Sequence, residues 1–81
     1  MKGVVHGISR NGVRCSALTD YGFTVFDITS GETFVGDVII GNLDDHGDAN
    51  LVSESTGQTI DVYIEAIQAT RESAQHLLES I

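Results

Sequence analysis

Eighty-one residues carry 12 Asp and Glu against four Lys and Arg, a formal charge of -8. A chain of this length fills one hydrophobic core and leaves nothing for a second, so a single domain over residues 1–81 is expected. The 41% hydrophobic content excludes a disordered tail, no apolar run approaches the ~18 residues that span a bilayer, and the acidic balance opposes long-range attraction to phosphate backbones.

The N-terminal segment lacks the apolar stretch and small-residue cleavage site of a signal peptide. A lone cysteine, Cys15, excludes an internal disulfide and fits a reducing compartment. The expected location is the cytoplasm, with no membrane association.

Without any proline, glycine and Asn/Asp punctuate the chain. Asn11-Gly12 lies between two apolar-rich stretches and predicts a type I′ hairpin joining strands over residues 2–9 and 13–19. In the second strand Val13, Cys15 and Ala17 share one face. Asp20-Tyr21-Gly22 turns the chain into a strand over 23–28, rich in aromatic and β-branched residues. Residues 29–32 read as loop, 37–43 as the next strand, 44–48 as a polar tip and 49–53 as the returning strand. Thr56-Gly57 is a further turn. Ile60, Val62 and Ile64 then alternate with Asp61, Tyr63 and Glu65, a strand with one buried and one wet face.

Near Thr70 the period changes. Ala74, Leu77, Leu78 and Ile81 recur at helical spacing, with Thr70 as N-cap and Glu72 in the first turn. A helix over 70–81 is too short to stand alone and must dock, over an open end of the barrel or against a second copy. The expected fold is mainly β: a small five-stranded antiparallel OB-like barrel over residues 1–67 with one C-terminal helix, an SH3-like barrel being the alternative.

Lys2-Gly3-Val4-Val5, Tyr21-Gly22-Phe23 and Val25-Phe26 resemble elements of bacterial cold-shock domains, and Val35-Gly36-Asp37-Val38 with Gly47 to Leu51-Val52 resembles the later glycine-valine spacing of OB domains generally, a likeness over roughly residues 1–65. That resemblance implies an OB barrel and binding of single-stranded RNA or DNA. Lys2, Arg14, Tyr21 and Phe23 are the residues that would carry it, through an aromatic face flanked by cations. The sequence departs from the family where its opening strand carries a basic residue and two stacking aromatics. Those positions hold His6, Gly7 and Ile8, and Asp20 precedes the aromatic-Gly-Phe element.

Other chemistries leave thinner traces. Asp44, His46, Asp48 and Asn50 alternate as oxygen ligands do at the start of a calcium loop, making Asp44 and Asp48 the candidate cation ligands. Gly47 and Glu54 fall out of register with that loop, and no metal site is assigned. His6, His46, His76 and Cys15 show no zinc spacing. Cys15 falls on the inward parity of its strand, where it reads as a small buried hydrophobe rather than a nucleophile. No enzymatic activity and no cofactor are expected. The favoured reading is a non-enzymatic acidic binding or regulatory module with a protein partner, as a monomer or weak homodimer. Weak single-stranded nucleic-acid binding is the alternative.

Overall fold

The structure, a computed structural model, describes residues 1–80. Six strands follow one another: β1 (Lys2–Ile8), β2 (Arg14–Thr19), β3 (Gly22–Ser30), β4 (Val38–Ile40), β5 (Gly47–Ser53) and β6 (Thr59–Ala69), ending in helix α1 (Arg71–Glu79). They close an antiparallel barrel in the order β1-β2-β3-β6-β5-β4. The barrel thus has six strands where five were expected. Each extended segment of the sequence forms a strand of its own, and two three-stranded meanders join through the β3–β4 crossover.

The expected strand over 37–43 shrinks to three residues. Gly41, at φ +153, ends it by passing so close to β5 that a Cβ there would stand 2.7 Å from Leu51 Cδ2. The chain then turns inward, burying Leu43 in the core. As a result the barrel closes by a short seam. β4 pairs with β1 at three positions and with β5 at two, against six in the β2–β3 and β5–β6 ladders.

Period-two alternation puts Val5, Cys15, Ala17, Phe26, Ile39, Leu51, Ile60, Val62 and Ile64 inside the barrel. Cys15 and Ala17 point inward together. Val13, expected to join them, precedes β2 and is exposed. The Asn11-Gly12 turn also differs from expectation. Only Gly12 has positive φ, and Gly12 N–H donates to the Ser9 carbonyl, so a four-residue turn with glycine in the left-handed position replaces type I′. Asn11 keeps negative φ because its Oδ1 accepts from both the Ser9 hydroxyl and the Val13 amide.

Helix α1 begins as expected, with Thr70 Oγ1 accepting from the Ser73 amide at 3.1 Å. It stops at Glu79, and Ile81 of the predicted stripe lies outside the described residues. The helix covers the outer wall of the barrel rather than an open end. Ala74 packs with Phe23 and Val25 of β3, joined by Leu77, Ala66 and Ala69. Gly7 makes room for it, since a Cβ there would sit 2.7 Å from Leu78 Cδ1. No helix is long and apolar enough to cross a membrane among the described residues.

Candidate functional site

The four residues singled out for nucleic-acid binding do not share a face. Tyr21 protrudes at the β2–β3 turn, 64% exposed. Phe23 points outward from β3, yet α1 lies over it and leaves it 7% exposed. Its neighbour Phe26 has the opposite parity and fills the barrel core. The stacking platform therefore reduces to Tyr21.

Arg14 is committed elsewhere. Its Nε and Nη2 donate to the two Asp27 carboxylate oxygens at 2.7 and 3.0 Å, and its Nη1 donates to the Leu77 carbonyl at 3.3 Å. Hydrogen bonding to Asp27 raises its pKa; partial burial opposes the rise, and the charges of Asp27 and Glu65 add to it. It ties the last turn of α1 to the sheet, a role that no local sequence signal marks. Lys2 extends into solvent beside Glu54, 3.6 Å away.

The expected cation loop is equally dispersed. Asp44 Oδ1 accepts from Gln68 Nε2, Asp45 Oδ2 accepts from Asn42, and Asp48 sits across from Tyr63 on the outer wall. No group of three His, Cys, Asp or Glu gathers at metal-binding distance among the described residues.

The most connected carboxylate is Asp37, at the start of the β4 seam. It is 8% exposed. Thr33 Oγ1 donates to it at 2.7 Å, Ser53 Oγ at 2.8 and 3.0 Å, and Ser55 Oγ at 3.1 Å. Burial alone would raise its pKa. The three hydroxyls and the Val38 amide outweigh that and hold it below the usual carboxylate value. The same residue's backbone carbonyl accepts from Val5 N–H, so Asp37 joins the crossover loop, β1 and β5. With its lone pairs taken by donors, this carboxylate works as a clamp rather than a proton acceptor. Cys15 is equally unreactive: burial, and secondarily the Asp27 charge, push the thiol up to about 11.

The outer wall divides into three sectors. Helix α1 covers the first, over parts of β1, β2 and β3. The second spans β2, β1, β4 and β5 and is aliphatic. Leu18, Val4 and Val38 stand in cross-strand register, and Ile40 pairs with Val52 one step along. Val4, Leu18 and Val52 are 37–39% exposed, and Val38 and Ile40 are half-buried. Beside it the turn over residues 34–37 is hydrogen-bonded to both sides of Val5 and leaves Phe34 and Val35 exposed. Gly36, at φ +92, supplies the left-handed backbone this turn needs.

The third sector, over β3, β6 and β5, is acidic. Asp27, Tyr63 and Asp48 form one cross-strand row, and Asn50 donates to Asp61 in the next. No Lys or Arg occurs between positions 15 and 70. No protein-family model, curated protein or solved structure matches the chain.

Proposed function

We propose that this chain is a non-enzymatic acidic module that binds a protein partner through the aliphatic sector of Val4, Leu18, Val38, Ile40 and Val52. The observation that carries the reading is the register of these side chains across four adjacent strands, with no described helix or strand over them and only the exposed Lys2–Glu54 pair crossing β4. Single exposed aliphatics are ordinary, whereas a contiguous set marks an interaction surface. Barrel closure pairs every strand with two neighbours, which favours side-chain docking over strand addition. The partner's chemistry follows from charge: an aliphatic contact surface rimmed by Lys or Arg complements the neighbouring acidic sector. A second copy would bring another charge of -8 against the first, which keeps self-association weak.

Two finer readings go with this one. The barrel belongs to the OB-like class, a reading supported by β1 pairing with both β2 and β4 across a β3–β4 crossover. The compartment is the cytoplasm, supported by a free and buried Cys15. The alternative of weak single-stranded RNA or DNA binding retains Tyr21 and Lys2 as its support.

The test places a photo-crosslinking residue at Val52 in one version of the protein and at Asp61 in another, expressed in cells. A discrete adduct from position 52 that disappears with Leu18→Asp is the expected result. Adducts from position 61 alone, or adducts from 52 indifferent to Leu18→Asp, would overturn the assignment.

A further inference from the structure

Under α1, further along β1 and β2 from Val4 and Leu18, lies a pocket of about 130 Å³ whose lining includes His6, Gly7, Ser16, Phe23, Arg71 and Gln75. No carboxylate lines it, although the chain carries 12. Phe23 orients the two basic side chains. The His6 imidazole meets its ring edge-on, centroids 5.6 Å apart at 87°, and the Arg71 guanidinium carbon lies 5.8 Å from the ring centroid. A guanidinium held by its face keeps its N–H edges free to donate, and Arg71 enters no ion pair among the described residues.

An independent observation comes from Ser16. It is 4% exposed, and its hydroxyl has no hydrogen-bond partner among the described residues; what opening it has is onto this pocket. No fully enclosed side-chain polar atom lacks a partner among the described residues, so this hydroxyl opens into the pocket, where beside a guanidinium and an amide it has a donor to offer an acceptor held there. Gly7 keeps that place open. A Cβ at this position would stand 3.1 Å from Ser16 Oγ.

We infer that the pocket binds a small oxyanion of the phosphate class. Ser16 Oγ and Gln75 Nε2 donate hydrogen bonds, and Arg71 supplies charge and further donors. The volume equals the share of about four waters at ~30 Å³ each, which holds a tetrahedral ion, whereas whole organic ligands take roughly 300 Å³ or more. Gly7 and Gln75 also line a neighbouring cleft of about 440 Å³ along β1, which gives the group attached to such an oxyanion a path outward. The inference does not rest on the partner-binding reading, because no residue lining the pocket belongs to the aliphatic set of Val4, Leu18, Val38, Ile40 and Val52.

The test is an amide-shift NMR titration of the full chain with sodium phosphate, against sodium chloride at matched ionic strength. Saturable shifts confined to Gly7, Ser16, Phe23 and residues 71–75 are expected, with a dissociation constant on the order of a millimolar because the net charge opposes anions. Ser16→Ala removes a hydroxyl with no partner among the described residues, so thermal stability should hold while affinity falls about tenfold. Arg71→Gln should lower affinity by about tenfold or more on the same grounds. Shifts that match chloride, shifts that appear equally at Lys2 and Arg10, or Ser16→Ala binding like the parent protein would each overturn the site.

Discussion

The β4 seam makes Asp37 the position where a single substitution should cost most for its size. Asp37→Ala removes the acceptor for three hydroxyls. Ser55 lies on an exposed turn and can turn to water, but Thr33 and Ser53 are 6% and 1% exposed, and Ser53 keeps only the Ser55 hydroxyl, 3.2 Å away. Two hydroxyls that lose their main acceptor, at about 1–3 kcal/mol each with Ser53 at the low end, place the loss near 3 kcal/mol. A domain of this size has roughly 4–12 kcal/mol in total, so the loss is a large share. Urea unfolding followed by circular dichroism reads it directly. Asp37→Ala in a Ser53→Ala background should cost less than in the parent, because one stranded donor is gone. A loss below about 0.5 kcal/mol, or strict additivity of the two substitutions, would refute the clamp.

The same residue fixes a pH dependence. Its carboxyl is held below its ordinary 3.8 in the folded state, so its contribution is present above that value and is lost as pH falls through the lower folded value. The stability gap between the parent and Asp37→Asn should therefore shrink below about pH 4. A gap that stays constant there would show that the charge does not matter.

Three further outcomes follow from the geometry. Arg14→Met should cost about 1–2 kcal/mol and speed amide exchange in the last turn of α1, because it removes the tether to Asp27 and Leu77; unchanged exchange there would contradict the tether. Cys15 ionises from 9.0 when unfolded but from about 11 when folded, so stability should fall across that window by about 2–3 kcal/mol, and Cys15→Ala should remove that part of the fall. Single-stranded RNA or DNA should show no nuclear Overhauser contact between a base and the Phe23 ring, since α1 covers that ring; such a contact would mean the helix leaves its seat.

Local rules carried much of the fold. The alternation in β6, the strands on either side of Asn11-Gly12 and the Thr70 cap each depend on residues close in sequence, and each appears where expected. What escaped was non-local. The Arg14–Asp27 pair spans two strands, and the Asp37 clamp gathers donors 4, 16 and 18 residues away. The bend of β6 is invisible for a similar reason. Gln68 takes φ 52 where the β3–β6 register shifts, and glutamine carries no turn preference to announce it. The candidate aromatic face is interrupted on the same ground: Phe23 points out of the barrel, but only the tertiary fold could place a helix above it.

One signal was in the chain from the start. Strand β3 is apolar on both faces across Phe23, Val25 and Phe26, and a strand buried on both sides needs a cover on each. Small residues at Gly7, Ser16, Ala66 and Ala69 surround its outer face, and α1 settles among them. Strand β4 carries the same signature in Val38, Ile39 and Ile40. Ile39 is fully buried in the core, while Val38 and Ile40 face outward beside Val4 and Val52. No described element lies over them. What accounts for the helix on β3 thus supports the proposal of a partner over β4, since that sector is aliphatic beside an acidic wall and carries no cover of its own among the described residues.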